Sequence, residues 1–111
     1  MSVSLQSEAI DVAAEYAQLV GGSPGAAVAT FTGYVRDHSH AHAHAVTELE
    51  LEHYTEMARK VLKDLGQSAA ERFGLSNWRI VHRFGRLAVS ETIVWVGAVA
   101  DHRGEVISAC E

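Results

Sequence analysis

The sequence has one cysteine, one proline, and no apolar run of the roughly 18 residues that a membrane-spanning helix needs. A lone Cys110 excludes an intrachain disulfide framework and fits a reducing cytoplasm. It reads as an ordinary helix residue rather than a reactive thiol. Basic residues are few: Lys and Arg number 9 against 14 Asp and Glu, for a formal charge of −5. That balance lacks the basic field on which broad nucleic-acid binding depends. No basic segment precedes a long apolar run at the N-terminus, so no secretory signal is expected. The phosphate-cradling patterns G-x-x-x-x-G-K-[ST] and G-x-G-x-x-G are missing, and no Ser-His-Asp or Cys-His arrangement is legible. These absences leave a cytoplasmic protein without a nucleic-acid or membrane partner.

What is present is a core. Of 111 residues, 48% are apolar, enough for one domain over 1–111 and too few for two. Val3 to Leu5 reads as a short extended piece. A helix follows, capped by Asp11 or Ser7 and ending near Gly21-Gly22, with Ile10, Ala13, Ala14, Ala17 and Val20 at helical spacing. Ala26 to Arg36 reads as a strand in which Gly33 marks a bulge or a close approach. Val46 to Tyr54 alternates as a half-buried strand with Glu48, Glu50 and Glu52 on its outer face. Thr55 to Phe73 is predicted as a helix with Met57, Val61, Leu65, Ala69 and Phe73 on its apolar stripe, Ala58 and Leu62 widening it, and Gly74 as its stop. Glu56 with Lys60, and Lys60 with Asp64, can pair at i,i+4. Trp78 to Phe84 and Thr92 to Ala100 are two further strands joined by a turn over Gly85 to Glu91. The second is apolar on both faces and therefore central. Arg103 to Glu111 starts another helix. The expected fold is α+β: a mixed or antiparallel sheet with helices packed on it as a two-layer sandwich.

Two cationic strand ends carry candidate chemistry. Arg36 follows Gly33 at the end of one strand, where a guanidinium suits a phosphate or carboxylate. His102 and Arg103 follow the central strand, where a starting helix would add N–H groups that favour an anion. The plainer readings are a surface ion pair for Arg36 and a solvated strand end for the other two. His38, His40, His42 and His44 alternate with small residues and give a weak metal-site pattern, with a solvated loop as the alternative. His53 and His82 read as structural histidines, and Trp78, Trp95, Phe73 and Phe84 as core or interface residues.

Four segments carry a family resemblance, in order and in matching spacing: F-T-G-Y-V-R (Phe31 to Arg36), L-E-L-E-H-Y (Leu49 to Tyr54), I-V-H-R-F-G-R-L (Ile80 to Leu87) and V-G-A-V-A-D-H-R (Val96 to Arg103). Together they resemble the large, catalytic subunit of molybdopterin synthase over about residues 10 to 107. The resemblance implies an α/β-hammerhead-like fold and a central homodimer. A small ubiquitin-like sulfur-carrier subunit docks at each end, making a heterotetramer. The implied reaction passes sulfur from the carrier's C-terminal glycine thiocarboxylate to cyclic pyranopterin monophosphate (precursor Z), forming the molybdopterin dithiolene. The positions matching the family's substrate contacts are Tyr34, Val35, Arg36, His102 and Arg103, contributed across the dimer by different subunits. No metal or redox cofactor is implied.

The sequence also departs from the family pattern. The family continues through a helix to a Lys-containing segment that holds its catalytic lysines. Here the lysines are Lys60 and Lys63, on the middle helix, and neither matches those positions. The chain, ending at Glu111, is expected to be a shortened family member, with no catalytic lysine carried over. Two other functions follow from these departures: a non-catalytic module that binds the carrier or a phosphorylated pterin, and a metal-binding protein built on the histidine loop.

Overall fold

The computed structural model describes residues 1–22, 25–36, 46–49 and 55–111, with the backbone alone described for 46–49. The elements run β1 (Ser2–Gln6), α1 (Val12–Gly21), β2 (Ala27–Tyr34), β3 (Val46–Leu49), α2 (Thr55–Phe73), β4 (Asn77–Arg83), β5 (Gly85–Ala88), β6 (Thr92–Ala100) and α3 (Arg103–Cys110).

Local chemistry sets the helix ends. Asp11 is the N-cap of α1, and its carboxylate accepts a 3.1 Å hydrogen bond from the Ala14 N–H. Gly74 stops α2 at φ +66°, a left-handed conformation that costs glycine little. The N–H of Leu75 then donates back to the Ala70 carbonyl at 3.1 Å, closing a Schellman turn.

Four strands form a mixed sheet in the order β1-β4-β6-β2, with β1 parallel to β4 and the other pairs antiparallel. Apolar on both faces, β6 takes an interior place, as its composition requires. Alternation along β4 and β6 divides the core. Trp78, Ile80, Ala98 and Ala100 face α2 and α3, joined by Leu75 and Val106. Val81, Trp95 and Val99 face α1, joined by Leu19. Helices thus cover both faces of the sheet. Asn77 ties α1 to the sheet by donating to the Leu19 carbonyl at 3.2 Å. A bidentate ion pair from Arg79 to Glu15 does the same, at 2.7 and 3.3 Å.

Several sequence expectations are corrected. With α1 on one face of the sheet and α2 and α3 on the other, the layers number three rather than the two of the expected sandwich. The segment Gly85 to Glu91 is not only a turn: β5 pairs antiparallel with β3 as a separate two-stranded sheet, so there are two sheets. Leu87, fully buried, is the anchor that periodicity over so short a strand could not reveal. The expected stripe on α2 is not one face. Residues four apart advance about 40° around a helix, so Met57 and Phe73 stand about 160° apart. Met57, Val61 and Leu65 are exposed, while Leu62, Ala69, Ala70 and Phe73 pack on the core. Glu56 pairs with Arg59 at 3.3 Å rather than with Lys60, which pairs with Asp64 at 3.0 Å. The outer face expected for Glu48, Glu50 and Glu52, and the histidines of the 38–44 loop, lie outside the described residues.

Candidate functional site

The two cationic strand ends occupy opposite ends of one ladder. Ala27 is paired with Ala100 and Tyr34 with Thr92 in the antiparallel β2–β6 register. The seven steps between Ala27 and Tyr34 span about 23 Å at the usual strand rise. Arg36 therefore lies beyond one end of the ladder, and His102 and Arg103 beyond the other. A single chain does not bring these side chains together.

At the first end the register shifts between Gly33 and Tyr34, the bulge expected from a glycine within a strand. A Cβ on Gly33 would sit 2.7 Å from Cγ1 of Val94, so any larger residue here forces a shift. Past the bulge, Tyr34 is 60% exposed, Val35 is buried and Arg36 is exposed. The Val35 N–H donates to the Glu91 carbonyl at 2.9 Å, and the Ser90 N–H donates to the Val35 carbonyl at 3.0 Å. Ser90 holds φ +76°, an uncommon value for a residue other than glycine. The Glu91 carboxylate accepts from the Ala88 N–H at 3.0 Å and from Arg83 at 2.5 Å. Arg83, the buried charged residue of the core, also donates to the Ser7 carbonyl at 2.8 Å. The Arg83 hydrogen bond, then the one from Ala88, holds the Glu91 carboxyl below its usual range.

At the second end His102 is the N-cap of α3 in extended geometry (φ −129°, ψ 142°) and makes no side-chain capping bond. The first-turn N–H groups thus have no cap from this side chain and can face an anion. Among the described residues, the side chains of Arg36, His102 and Arg103 have no ion-pair or hydrogen-bond partner. A buried Arg83 and its clamp on Glu91 escaped the sequence reading. The signal was there: Arg79, Val81 and Arg83 share one parity of β4, so two arginines fall on a face that packs inward.

A separate apolar groove of about 490 Å³ opens between α2, α3 and the sheet, lined among others by Phe31, Leu65, Trp78, Val96 and Cys110. Neither Arg36 nor Arg103 lines it. Cys110 donates from Sγ to the Ala29 carbonyl at 3.4 Å, and burial pushes its thiol pKa up. His82 places Nδ1 2.8 Å from the Arg83 carbonyl, as a structural histidine does. No group of three or more metal-ligating side chains occurs among the described residues.

A family model described as "MoaE protein" matches residues 5–111. The chain belongs to the MoaE protein family. The molybdopterin synthase catalytic subunit of Vibrio cholerae serotype O1 is 41% identical over 109 residues, covering 98% of this chain and 71% of that protein. The one from Ralstonia nicotianae is 39% identical, covering 99% and 62%. The MoaE protein of Burkholderia ambifaria superposes with a TM-score of 0.81 at 33% identity, over 98% of this chain and 70% of that one. The mixed sheet with helices on its faces is thus the MoaE fold. The motifs from Phe31 to Arg36 and from Val96 to Arg103 lie at the two ends described above.

Proposed function

We propose that the chain acts as a molybdopterin synthase catalytic subunit. It would bind cyclic pyranopterin monophosphate and receive sulfur from the C-terminal thiocarboxylate of a small ubiquitin-like carrier subunit. Membership of the MoaE family across residues 5–111 carries this reading. The uncommitted cations support it. Arg36, His102 and Arg103 suit a phosphate, and fixed positive groups stabilise the negative charge that builds as sulfur attacks. Because the two ends stand about 23 Å apart along one ladder, the reading requires Arg36 of one protomer to meet His102 and Arg103 of its partner in a homodimer. Tyr34 and Val35 shape the same wall. A carrier on each end of that dimer gives the heterotetramer. A reducing cytoplasm suits the lone Cys110 and the thiocarboxylate chemistry alike.

Supplying the thiocarboxylated carrier and the cyclic pterin tests the reading: formation of the dithiolene product supports it, and a folded dimer that binds neither partner refutes it. A second reading, a non-catalytic member that binds carrier or pterin without turnover, draws on the lysine inventory. Lys60 and Lys63 both lie on α2 and are exposed, and Lys60 pairs with Asp64. Tight binding of both partners with no product would select it.

A further inference from the structure

We infer that Arg83 and Glu91 are positioning residues for the anion contact at the end of β2, fixing where Arg36 stands through the backbone of Val35. This rests on the pterin-binding reading above. The chain of contacts is continuous. Arg83 is anchored at 2.8 Å to the Ser7 carbonyl and grips one oxygen of the Glu91 carboxylate. The other oxygen takes the Ala88 N–H, so the tight turn through Ser90 is held from both sides. That turn in turn holds Val35 by two main-chain bonds, one from each direction, at 2.9 and 3.0 Å.

The need for such a clamp follows from the bulge. The β2–β6 register shifts at Gly33/Tyr34 and Tyr34–Thr92 is its last paired position, so beyond it the path of the chain that presents the cation depends on the main-chain bonds to Ser90 and Glu91. A long arginine on an unfixed strand end loses affinity to conformational entropy. An arginine with so little exposure is costly unless its guanidinium finds partners. Its guanidinium is spent on Glu91 and Ser7, and its Nε has no partner among the described residues. The ion pair at the end of β4 thus reaches the end of β2, two strands away, through the turn that holds Val35.

Truncating the buried Arg83 risks unfolding the domain, so Glu91→Gln carries the test. It keeps the size and the acceptor for Ala88 but drops the charge that Arg83 grips. Two measurements are made: amide hydrogen exchange at Val35, and calorimetric affinity for cyclic pyranopterin monophosphate in a double-mutant cycle with Arg36→Ala. In Glu91→Gln, Val35 exchange is expected to rise about tenfold while the Trp95 amide stays within about twofold. Affinity is expected to fall about tenfold in the native background and less than about twofold once Arg36 is alanine. Unchanged exchange at Val35, or an equal loss of affinity in both backgrounds, overturns the inference while leaving the functional reading intact. A wild-type protein that does not bind the pterin overturns the functional reading, and the inference with it.

Discussion

Trp78 lies against the backbone of Gly66: a Cβ built on that glycine would overlap three carbons of the indole six-membered ring. The contact fixes how closely α2 approaches the sheet and which side of the helix turns inward. Gly66→Ala therefore sets two effects against each other. Alanine gains about 1 kcal/mol of helix propensity. Overpacking against a buried ring costs about 1–3 kcal/mol. The added Cβ would come within 2.7 Å of three ring carbons of Trp78, so the second effect should win. Urea denaturation should show a net loss of stability in Gly66→Ala; a gain would mean that the helix can shift outward freely.

Arg36→Ala and Arg103→Ala should each weaken binding of cyclic pyranopterin monophosphate by about 1–3 kcal/mol, the range for a charge-assisted contact. Because one chain holds these residues at opposite ends of the β2–β6 ladder, mixing the two variants is informative. A dimer with one chain of each kind has one site with both arginines and one with neither. Calorimetry on the mixture should recover high-affinity sites. Recovery of none would mean that the arginines do not share a site across protomers.

The elements whose periodicity is long were legible in the sequence. The Thr55–Phe73 and Thr92–Ala100 bounds match α2 and β6, and the glycine within β2 is a bulge. What stayed hidden depends on contacts across the chain. Leu87 sits on a strand that only its pairing with β3 reveals, and Glu91 needs Arg83, eight residues earlier. The candidate site was legible as two motifs, but not as their separation. Only the antiparallel register places Ala27 beside Ala100 and so sends the cations to opposite ends.

The bidentate pair of Arg79 with Glu15 joins α1 to β4 with both partners largely covered, at 24% and 15% side-chain exposure. Removing one partner strands the other charge where water reaches it poorly. Glu15→Ala should cost about 1–3 kcal/mol in chemical denaturation. The double variant Glu15→Ala/Arg79→Ala should lose less than the sum of the two single changes. Strict additivity would mean the pair contributes nothing as a pair.

Glu91 sets an acid limit on the clamp at Val35. Its carboxyl pKa is lowered from 4.5, chiefly by the Arg83 hydrogen bond and then by the one from Ala88. A group whose folded pKa is depressed contributes stability above its unfolded pKa and loses that contribution as pH falls through the folded value. The pair should therefore be fully effective at neutral pH and fail progressively below 4.5. Thermal midpoints followed downward from neutral pH should drop more steeply in the wild-type protein than in Glu91→Gln, which has no proton to take up at that position. The two curves should approach each other in strong acid, because protonation takes from Glu91 the charge that glutamine also lacks. Parallel curves would assign the acid sensitivity to carboxylates other than Glu91.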